Sequence, residues 1–176
     1  MSRGVVVWIT GLPSSGKSTF AAHLREQLVT LGIASCLLDS DEVRGALVPA
    51  PGYDEVGRDH FYDTLGRLAA MLESQGLVVV VPATAHRRAY RDRARRRAER
   101  WLEVFLDVPA EECRARDAKG LYAASAAGTA RAVPGADLGY EAPPTPDVVA
   151  RGGHDLDAVA RVIAEIAESR RRTSPR

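Results

Sequence analysis

The chain has 176 residues, of which 45% are hydrophobic and 27% are charged, and its formal net charge is +1. This length fits one globular domain, for which roughly 100–200 residues is usual. The balanced charge excludes a protein whose surface is basic enough overall to bind DNA or RNA. Apolar runs such as residues 77–81 are much shorter than the roughly 20 residues of a membrane-spanning helix. We therefore expect a cytoplasmic protein that binds neither nucleic acid nor a membrane.

The beginning of the chain predicts a strand, a helix and a second strand in succession. Residues 4–10 form a β-branched apolar run, which is typical of a central parallel strand buried on both faces. Apolar side chains then recur every three or four residues over 20–31, which predicts an amphipathic helix closed by Gly32. Residues 34–39 predict the second strand.

Helix-forming and strand-forming patterns continue to alternate further along the chain. Helical spacing over 61–72 is followed by an apolar strand at 77–82, and 101–107 predicts another strand. Between these strands the Arg-rich segment 87–100 is typical of a solvated helix, and Pro109 begins a further helix. The alternation predicts an α/β fold in which helices cover a parallel sheet.

The segment of residues 118–146 breaks this alternation. It contains four glycines and four prolines, and so long a segment inside a compact domain is usually functional. We interpret it as a lid that closes over a substrate. A short strand at 147–150 and a helix over 156–166 complete a single domain of residues 1–169, and residues 170–176 predict a basic C-terminal tail.

A phosphate-binding motif lies between the first strand and the first helix. Gly11-Leu-Pro-Ser-Ser-Gly-Lys-Ser18 fits the P-loop pattern G-x-x-x-x-G-K-[ST] in the structural context that the pattern requires. An accidental Gly/Ser-rich turn is the alternative, but such a turn needs neither the Lys-Ser pair nor this register. We therefore expect a P-loop NTPase-type three-layer sandwich with a five-stranded parallel sheet.

The chemistry of a P-loop assigns roles to its residues. Backbone N–H groups and the helix N-terminus face the phosphates, Lys17 contacts the β- and γ-oxygens, and Ser18 is the expected ligand of Mg²⁺. The expected ATP-binding residues are Gly11, Leu12, Pro13, Ser14, Ser15, Gly16, Lys17, Ser18 and Thr19.

Two carboxylates at the end of the second predicted strand help to decide between a kinase and another kind of NTPase. Asp39 and Asp41 fall beside the crevice in which open α/β sheets bind ligands. We expect Asp41 either to accept the proton of an acceptor hydroxyl or to hold Mg²⁺ through water together with Ser18. The alternative is that both acids only cap the following helix.

In its motifs and their order the sequence resembles the adenylyl-sulfate kinases. The matching segments are Gly11–Thr19, Leu38-Asp-Ser-Asp-Glu-Val-Arg44, Asp117-Ala-Lys-Gly-Leu-Tyr122 and Gly135-Ala-Asp-Leu-Gly-Tyr-Glu-Ala-Pro143. The resemblance implies a homodimer that uses Mg²⁺ and ATP. It also implies transfer of the γ-phosphoryl group to the 3′-hydroxyl of adenosine 5′-phosphosulfate, a small anionic nucleotide, during sulfate activation.

The resemblance also implies site residues outside the P-loop. Arg44 and Arg58 would clamp the phosphosulfate, because guanidinium groups suit such oxyanions, although any single arginine of this chain is more often an exposed surface residue. Tyr53 would stack on the purine or else be a core aromatic. The expected catalytic residues are Lys17, Asp41 and Lys119; the expected substrate-binding residues are Asp39, Asp41, Arg44, Tyr53, Arg58, Lys119 and Val133.

Three departures from the family pattern lie on the acceptor side of the expected site. Phe61 takes the place of an Asn, which predicts the loss of a substrate hydrogen bond, and Val133 takes the place of an aromatic residue in the lid. Thr84-Ala-His-Arg87 replaces an Ile-Ser-Pro-aromatic segment. His86 with Arg87 and Arg88 predicts either a new anion-binding corner or, for His86, a solvent-exposed side chain at the start of an Arg-rich helix, and the second is the commoner case.

Two other functions remain open from the sequence. One is a kinase of the same branch that phosphorylates another nucleotide-linked or small phosphorylated alcohol, which the three departures favour. The other is a non-catalytic, regulatory ATP-binding module. The retention of Lys17, Ser18, Asp41 and Lys119 argues against the second of these.

Overall fold

A parallel sheet of five strands forms the centre of the fold. The computed structural model describes residues 4–130 and 132–171. The strands lie side by side in the order β2-β3-β1-β4-β5, and every neighbouring pair is parallel. They span Val5–Gly11 (β1), Ser35–Leu37 (β2), Val78–Pro82 (β3), Trp101–Leu106 (β4) and Val148–Ala150 (β5). The predicted five-stranded parallel sheet is confirmed.

Helices cover both faces of this sheet and complete the three layers. They span Lys17–Thr30 (α1), Ser40–Ala46 (α2), Glu55–Ser74 (α3), Arg88–Arg95 (α4), Ala110–Arg116 (α5), Leu121–Ala126 (α6) and Leu156–Arg171 (α7). Within the described residues, no helix combines the length and the apolar character that crossing a membrane would require.

Strand β1 separates two hydrophobic cores. Val7 and Ile9 on one face pack with α1 and α7, whereas Val6 and Trp8 on the other face pack with α3 and α4. All seven residues of β1 are buried. A strand buried on both faces needs apolar residues at successive positions, so the unbroken apolar run in the sequence follows from its central place in the sheet.

The segment predicted to be a solvated, Arg-rich helix contains a buried ion pair. Arg91 of α4 is only 2% exposed, and its Nε donates to Glu103 Oε1 on β4 at 3.0 Å. Its two terminal nitrogens donate to the carbonyls of Ala85 and Glu141, each at 2.6 Å. The prediction of a wholly solvated helix was therefore wrong, because the partners of Arg91 lie outside its helix and only the tertiary fold brings them together.

The predicted lid packs against the P-loop. The lid contains the short helix α6, and Tyr122 of that helix packs with Cys113 and Val133 in a small apolar cluster. The Tyr122 hydroxyl also donates to the carbonyl of Pro13 at 3.1 Å.

The last helix, α7, extends into the predicted C-terminal tail. It continues to Arg171, so residues 170 and 171 are helical, and the rest of the predicted tail lies outside the described residues.

Candidate active site

The P-loop leads from the carboxyl end of β1 into the N-terminus of α1. Gly16, the residue before the helix, has φ 97°. A Cβ atom at this position would lie 2.6 Å from the backbone nitrogen of Gly153, so a larger residue fits neither the backbone conformation nor the space. The tight approach leaves the N-terminus of a helix of 14 residues facing the cleft, which favours bound anions.

Lys17 is held inside this loop by backbone carbonyls. Its Nζ donates to the carbonyls of Gly11 at 3.1 Å and Leu12 at 2.7 Å. Burial, with a smaller contribution from the positive charge of Lys119, lowers the pKa of Lys17 to about 8. An anionic phosphate in the loop would favour the charged ammonium and raise that pKa again.

Asp39 acts both as a helix cap and as a partner of the P-loop. Its Oδ1 accepts from the backbone N–H groups of Asp41 and Glu42 at the start of α2, at 2.9 and 3.4 Å. Its Oδ2 accepts from the Ser18 hydroxyl at 3.2 Å. The structure thus places Asp39, rather than Asp41, against Ser18. Two oxygen ligands beside a triphosphate site suit Mg²⁺, which usually completes its shell with phosphate oxygens and water.

Asp41 faces the lid across the cleft. It lies in the first turn of α2, three residues before Arg44, and this spacing puts both side chains on the same side of the helix. Asp41 Oδ2 forms an ion pair with Nζ of Lys119, and both side chains are exposed. The two residues predicted to act on the acceptor hydroxyl and on the transferred group are therefore brought together.

The two predicted clamp arginines are buried in the wall of the cleft. Arg44 and Arg58 are 7% and 8% exposed, which excludes the alternative of ordinary surface residues. Arg44 Nη1 donates to the carbonyls of Pro51 and Gly52, both at 2.9 Å. Arg58 Nη2 donates to the carbonyl of Ala132 at 2.6 Å, while its buried Nη1 has no hydrogen-bond partner among the described residues. Arg58 also lines the cleft, so its guanidinium is a candidate donor to an anion bound there.

Aromatic rings surround these guanidinium groups. The Tyr53 ring centroid lies 4.4 Å from Cζ of Arg44 and 5.9 Å from Cζ of Arg58. The Phe61 ring centroid lies 3.8 Å from Cζ of Arg44. Tyr53 is 61% exposed, so it is not a core aromatic and its outer surface is open to a ligand.

The wall between β3 and α4 contains His86, for which the sequence predicted two alternatives. His86 is 3% exposed, so the prediction of a solvent-exposed side chain was wrong. Burial, followed by the nearby charges of Arg58 and Arg87, lowers the pKa of His86 to about 4. The imidazole is therefore neutral near pH 7, so the charge of an anion-binding corner here would come from Arg87 and Arg88, which pair with Glu55 and Asp92. The preceding Ala85 has φ 38°, and its N–H donates to the Tyr62 hydroxyl at 3.1 Å.

Val133 is buried in the lid rather than presented as a flat surface. Together with Cys113 and Tyr122 it forms the cluster that supports the P-loop side of the lid, although it also lines the cleft. Its backbone N–H donates to Asp137 Oδ1 at 2.5 Å, and the neighbouring N–H of Ala132 donates to Oδ2 of the same carboxylate at 2.6 Å. Because its side chain lines the cleft, Val133 can contribute an apolar contact to a base.

A cleft of about 1560 Å³ connects these groups at the carboxyl edge of the sheet. The two arginines and the aromatic rings line the acceptor end of this cleft. A second part of its lining was not predicted from the sequence. The signal for this second part was the Gly152-Gly153 pair, which follows the predicted strand 147–150 after one residue, at the edge where parallel sheets bind ligands. Its lining includes Arg116, Arg151, His154, Asp155, Asp157 and Arg161.

Sequence reasoning also missed a hydrogen-bonded link between the sheet and the end of the lid. The buried Thr10 hydroxyl donates to the carbonyl of Thr84 at 2.8 Å, and the Tyr140 hydroxyl lies 2.9 Å from Oγ1 of Thr10. Burial raises the pKa of Tyr140 to about 12, so the phenol stays protonated. A polar residue at the end of an otherwise apolar strand was the signal for Thr10.

Comparison with known proteins identifies relatives over most of the chain. The family model "Adenylylsulphate kinase" matches residues 3–151. An adenylyl-sulfate kinase of Synechococcus sp. strain JA-3-3Ab is 40% identical over 149 residues, which are 85% of each chain. One from Citrobacter koseri is 43% identical over 148 residues, or 83% of this chain and 74% of the relative.

Solved structures agree with this assignment. The Mycobacterium tuberculosis APS kinase CysC, in complex with AMPPNP and APS, superposes with a TM-score of 0.86 at 33% identity and covers 96% of this chain and 99% of its own. A gluconokinase from Sinorhizobium meliloti shares the fold alone, with a TM-score of 0.59 and 20% identity over 97% of this chain and 95% of its own. From its motifs, its fold and these matches, the chain belongs to the adenylylsulphate kinase family.

Proposed function

We propose that this protein transfers the γ-phosphoryl group of ATP to the 3′-hydroxyl of adenosine 5′-phosphosulfate and so forms 3′-phosphoadenylyl sulfate. The P-loop supports use of a nucleoside triphosphate but does not select the acceptor. The observation that carries the choice of acceptor is the pair of buried arginines, Arg44 and Arg58, in the same cleft as the P-loop. Two desolvated guanidinium groups suit a small dianion such as a phosphosulfate.

The residues of the P-loop side would stabilise charge on the transferred group. Lys17 and the N-terminal N–H groups of α1 would contact the phosphate oxygens, where they offset the negative charge that develops during transfer. Ser18 and Asp39 would hold Mg²⁺, which would neutralise charge on the β- and γ-phosphates.

The acceptor side would position the nucleophile and remove its proton. The 3′-oxygen forms a bond to the γ-phosphorus as the bond from that phosphorus to the bridging oxygen of ADP breaks. The hydroxyl proton passes to the carboxylate of Asp41. Lys119, which pairs with Asp41 in this structure, would then turn to the transferring phosphoryl group. Closure of the lid would exclude water and limit hydrolysis of ATP.

A second candidate is a kinase of the same family with a different phosphorylated or nucleotide-linked alcohol as acceptor. The observation that favours it is the changed wall on the acceptor side, where Phe61 and a neutral, buried His86 line or support the pocket. Val133, a third change, gives the base an aliphatic rather than an aromatic contact.

The test is release of ADP from Mg·ATP with adenosine 5′-phosphosulfate, beside a panel of other nucleotide 5′-esters, with each product identified by mass. Turnover restricted to adenosine 5′-phosphosulfate supports the proposal, and turnover with another ester alone supports the second candidate. The matched control is Lys17→Ala, which should abolish transfer. Binding of ATP without turnover of any ester would point to a regulatory module.

We also infer that the protein is a cytoplasmic homodimer that serves sulfate assimilation. The support for this inference is the family to which the chain belongs. A hexameric APS kinase from Thiobacillus denitrificans shares this fold at 22% identity, so a hexamer is the assembly to test against the dimer. Light scattering after size-exclusion chromatography should give twice the mass of the chain, and a value of six times would replace the dimer.

A further inference from the structure

Arg44 lies between two aromatic rings. Its guanidinium carbon is 3.8 Å from the centroid of Phe61 and 4.4 Å from the centroid of Tyr53. Its Nη1 is occupied by the carbonyls of Pro51 and Gly52. The rings restrict movement of the guanidinium plane and the carbonyls restrict rotation within it, so the remaining donors have a defined direction.

The two rings differ in how firmly they are held. Tyr53 is exposed and lies in the loop before α3, whereas Phe61 is 1% exposed and belongs to the core beneath that helix. Phe61 also follows Arg58 by three residues, so the two lie on the same side of α3. The buried Phe61 ring therefore holds Arg44 in a fixed position relative to α3, the helix that carries Arg58.

We propose that Phe61 is a positioning residue for the acceptor, which fixes the guanidinium of Arg44 at the anionic end of the substrate pocket. This rests on the proposed function, because the anion is taken to be the phosphosulfate of the acceptor. Sequence comparison alone predicted only the loss of a substrate hydrogen bond at this position. The Phe61 ring instead orients Arg44, which would contact the substrate, and does not need to contact the substrate itself.

Burial makes this contact stronger than a cation–π contact at a surface. Burial lowers the pKa of Arg44, so its charged form is partly stripped of water. The negative face of an aromatic ring compensates a desolvated cation, and no aliphatic side chain of similar size does so. A guanidinium that is held in place before the substrate arrives also loses less conformational entropy on binding.

The experiment compares Phe61→Met with Phe61→Tyr. Methionine fills most of the volume of the ring but has no aromatic face, whereas tyrosine keeps the face. We expect Phe61→Met to raise KM for adenosine 5′-phosphosulfate about 5- to 30-fold, the factor that a desolvated cation–π contact represents. The KM for ATP and kcat should change less than about two-fold, and Phe61→Tyr should retain the KM of the unaltered protein.

Leu65→Ala is the matched control for damage to the core. Leu65 is buried in the same core one turn along α3 and has no aromatic ring to stack on either arginine. Its truncation should destabilise the fold at least as much as Phe61→Met. Thermal denaturation of each variant shows whether it is folded. If Leu65→Ala raises KM as well, the rise follows from loss of stability and not from loss of the aromatic contact. That result would overturn the inference.

Two further outcomes separate this inference from the proposed function. An unchanged KM in folded Phe61→Met, with normal turnover in the unaltered protein, would overturn the inference and leave the proposed function intact. No turnover of adenosine 5′-phosphosulfate by the unaltered protein would overturn both.

Discussion

Asp39 and Asp41 are separated by one residue and have different surroundings. Asp39 joins the start of α2 to the P-loop, through the backbone of α2 and the hydroxyl of Ser18. Asp41 instead projects across the cleft to Lys119. These contacts support a division of two proposed roles that the sequence suggested for Asp41 alone. Asp39 would help to hold the metal-bound triphosphate, and Asp41 would accept the proton of the acceptor.

This separation predicts the phenotype of Asp41→Asn. An amide cannot accept the hydroxyl proton, so kcat should fall about 10²- to 10⁴-fold, the usual contribution of a general base. The affinity for Mg·ATP, measured by calorimetry, should change little because Asp41 does not contact Ser18. Asp39→Asn is the companion variant and should weaken Mg·ATP binding. Near-normal kcat in Asp41→Asn would remove this carboxylate from proton transfer.

Lys17 should make nucleotide binding depend on pH. Its pKa in the ligand-free protein is lowered to about 8, mainly by burial, and bound phosphates would raise it. Above pH 8 the free protein is then mostly neutral at Lys17 while the complex is charged, so binding takes up a proton. Affinity for ATP should fall as pH rises through about 8.

Calorimetry in buffers of different ionisation enthalpy measures this proton uptake directly. Near pH 8.5 we expect uptake of a fraction of a proton per ATP in the unaltered protein. Lys17→Met, which has no titrating group at this position, should bind more weakly and show no such uptake. Equal proton uptake in both proteins would assign the titration to another group.

Sequence alone defined those parts of the site that depend on local order. The P-loop could be predicted because strand, loop, lysine and helix are consecutive, and both carboxylates because they follow a strand. The burial of His86 could not be predicted, since its environment comes from Arg58 and Tyr90, which belong to different helices. The same applies to Phe61, whose contact with Arg44 joins α2 to α3.

At the scale of elements, Arg91 connects helix α4 to the wall of the pocket, to β4 and to the end of the lid. It contacts Ala85, Glu103 and Glu141 through three different nitrogens. Burial raises the pKa of Glu103, so this carboxylate depends on its cation to remain charged. One side chain thus joins α4 to the segment after β3, to β4 and to the end of the lid.

Arg91→Met should therefore destabilise the protein strongly. Removal of one member of a buried ion pair leaves the other charge without compensation, and the free energy of unfolding should fall by about 3–5 kcal/mol. Denaturant titration measures this change. The control Arg88→Ala breaks an exposed pair with Asp92 and should cost less than about 1 kcal/mol.

The double variant Arg91→Met, Glu103→Met tests the reason for this loss. If the uncompensated carboxylate is its cause, the double variant should recover much of the stability, because apolar side chains of similar size can replace a buried pair. A double variant no more stable than Arg91→Met would place the loss in the two carbonyl contacts instead.

At the scale of the whole molecule, the order of the strands decides where the site lies. The central strand β1 ends at the P-loop, β2 leads into Asp39, and β3 leads to Thr84, so groups from distant parts of the sequence meet at one edge of the sheet. The hydrophobic pattern predicted this arrangement because parallel strands buried on both faces are nearly continuous apolar runs. It could not predict how the lid folds, since the contacts of Tyr122 and Val133 are tertiary.

The contact between Gly16 and Gly153 has a consequence for how the protein is made. A Cβ on Gly153 would lie 2.7 Å from the carbonyl oxygen of Gly16, so these two backbones support each other directly. Gly16 precedes Gly153 by most of the length of the domain, so the P-loop is translated well before its support. A growing polypeptide therefore carries the motif for ATP before it has the segment that supports it, and we expect firm nucleotide affinity only once Gly153 has been made and packs against Gly16.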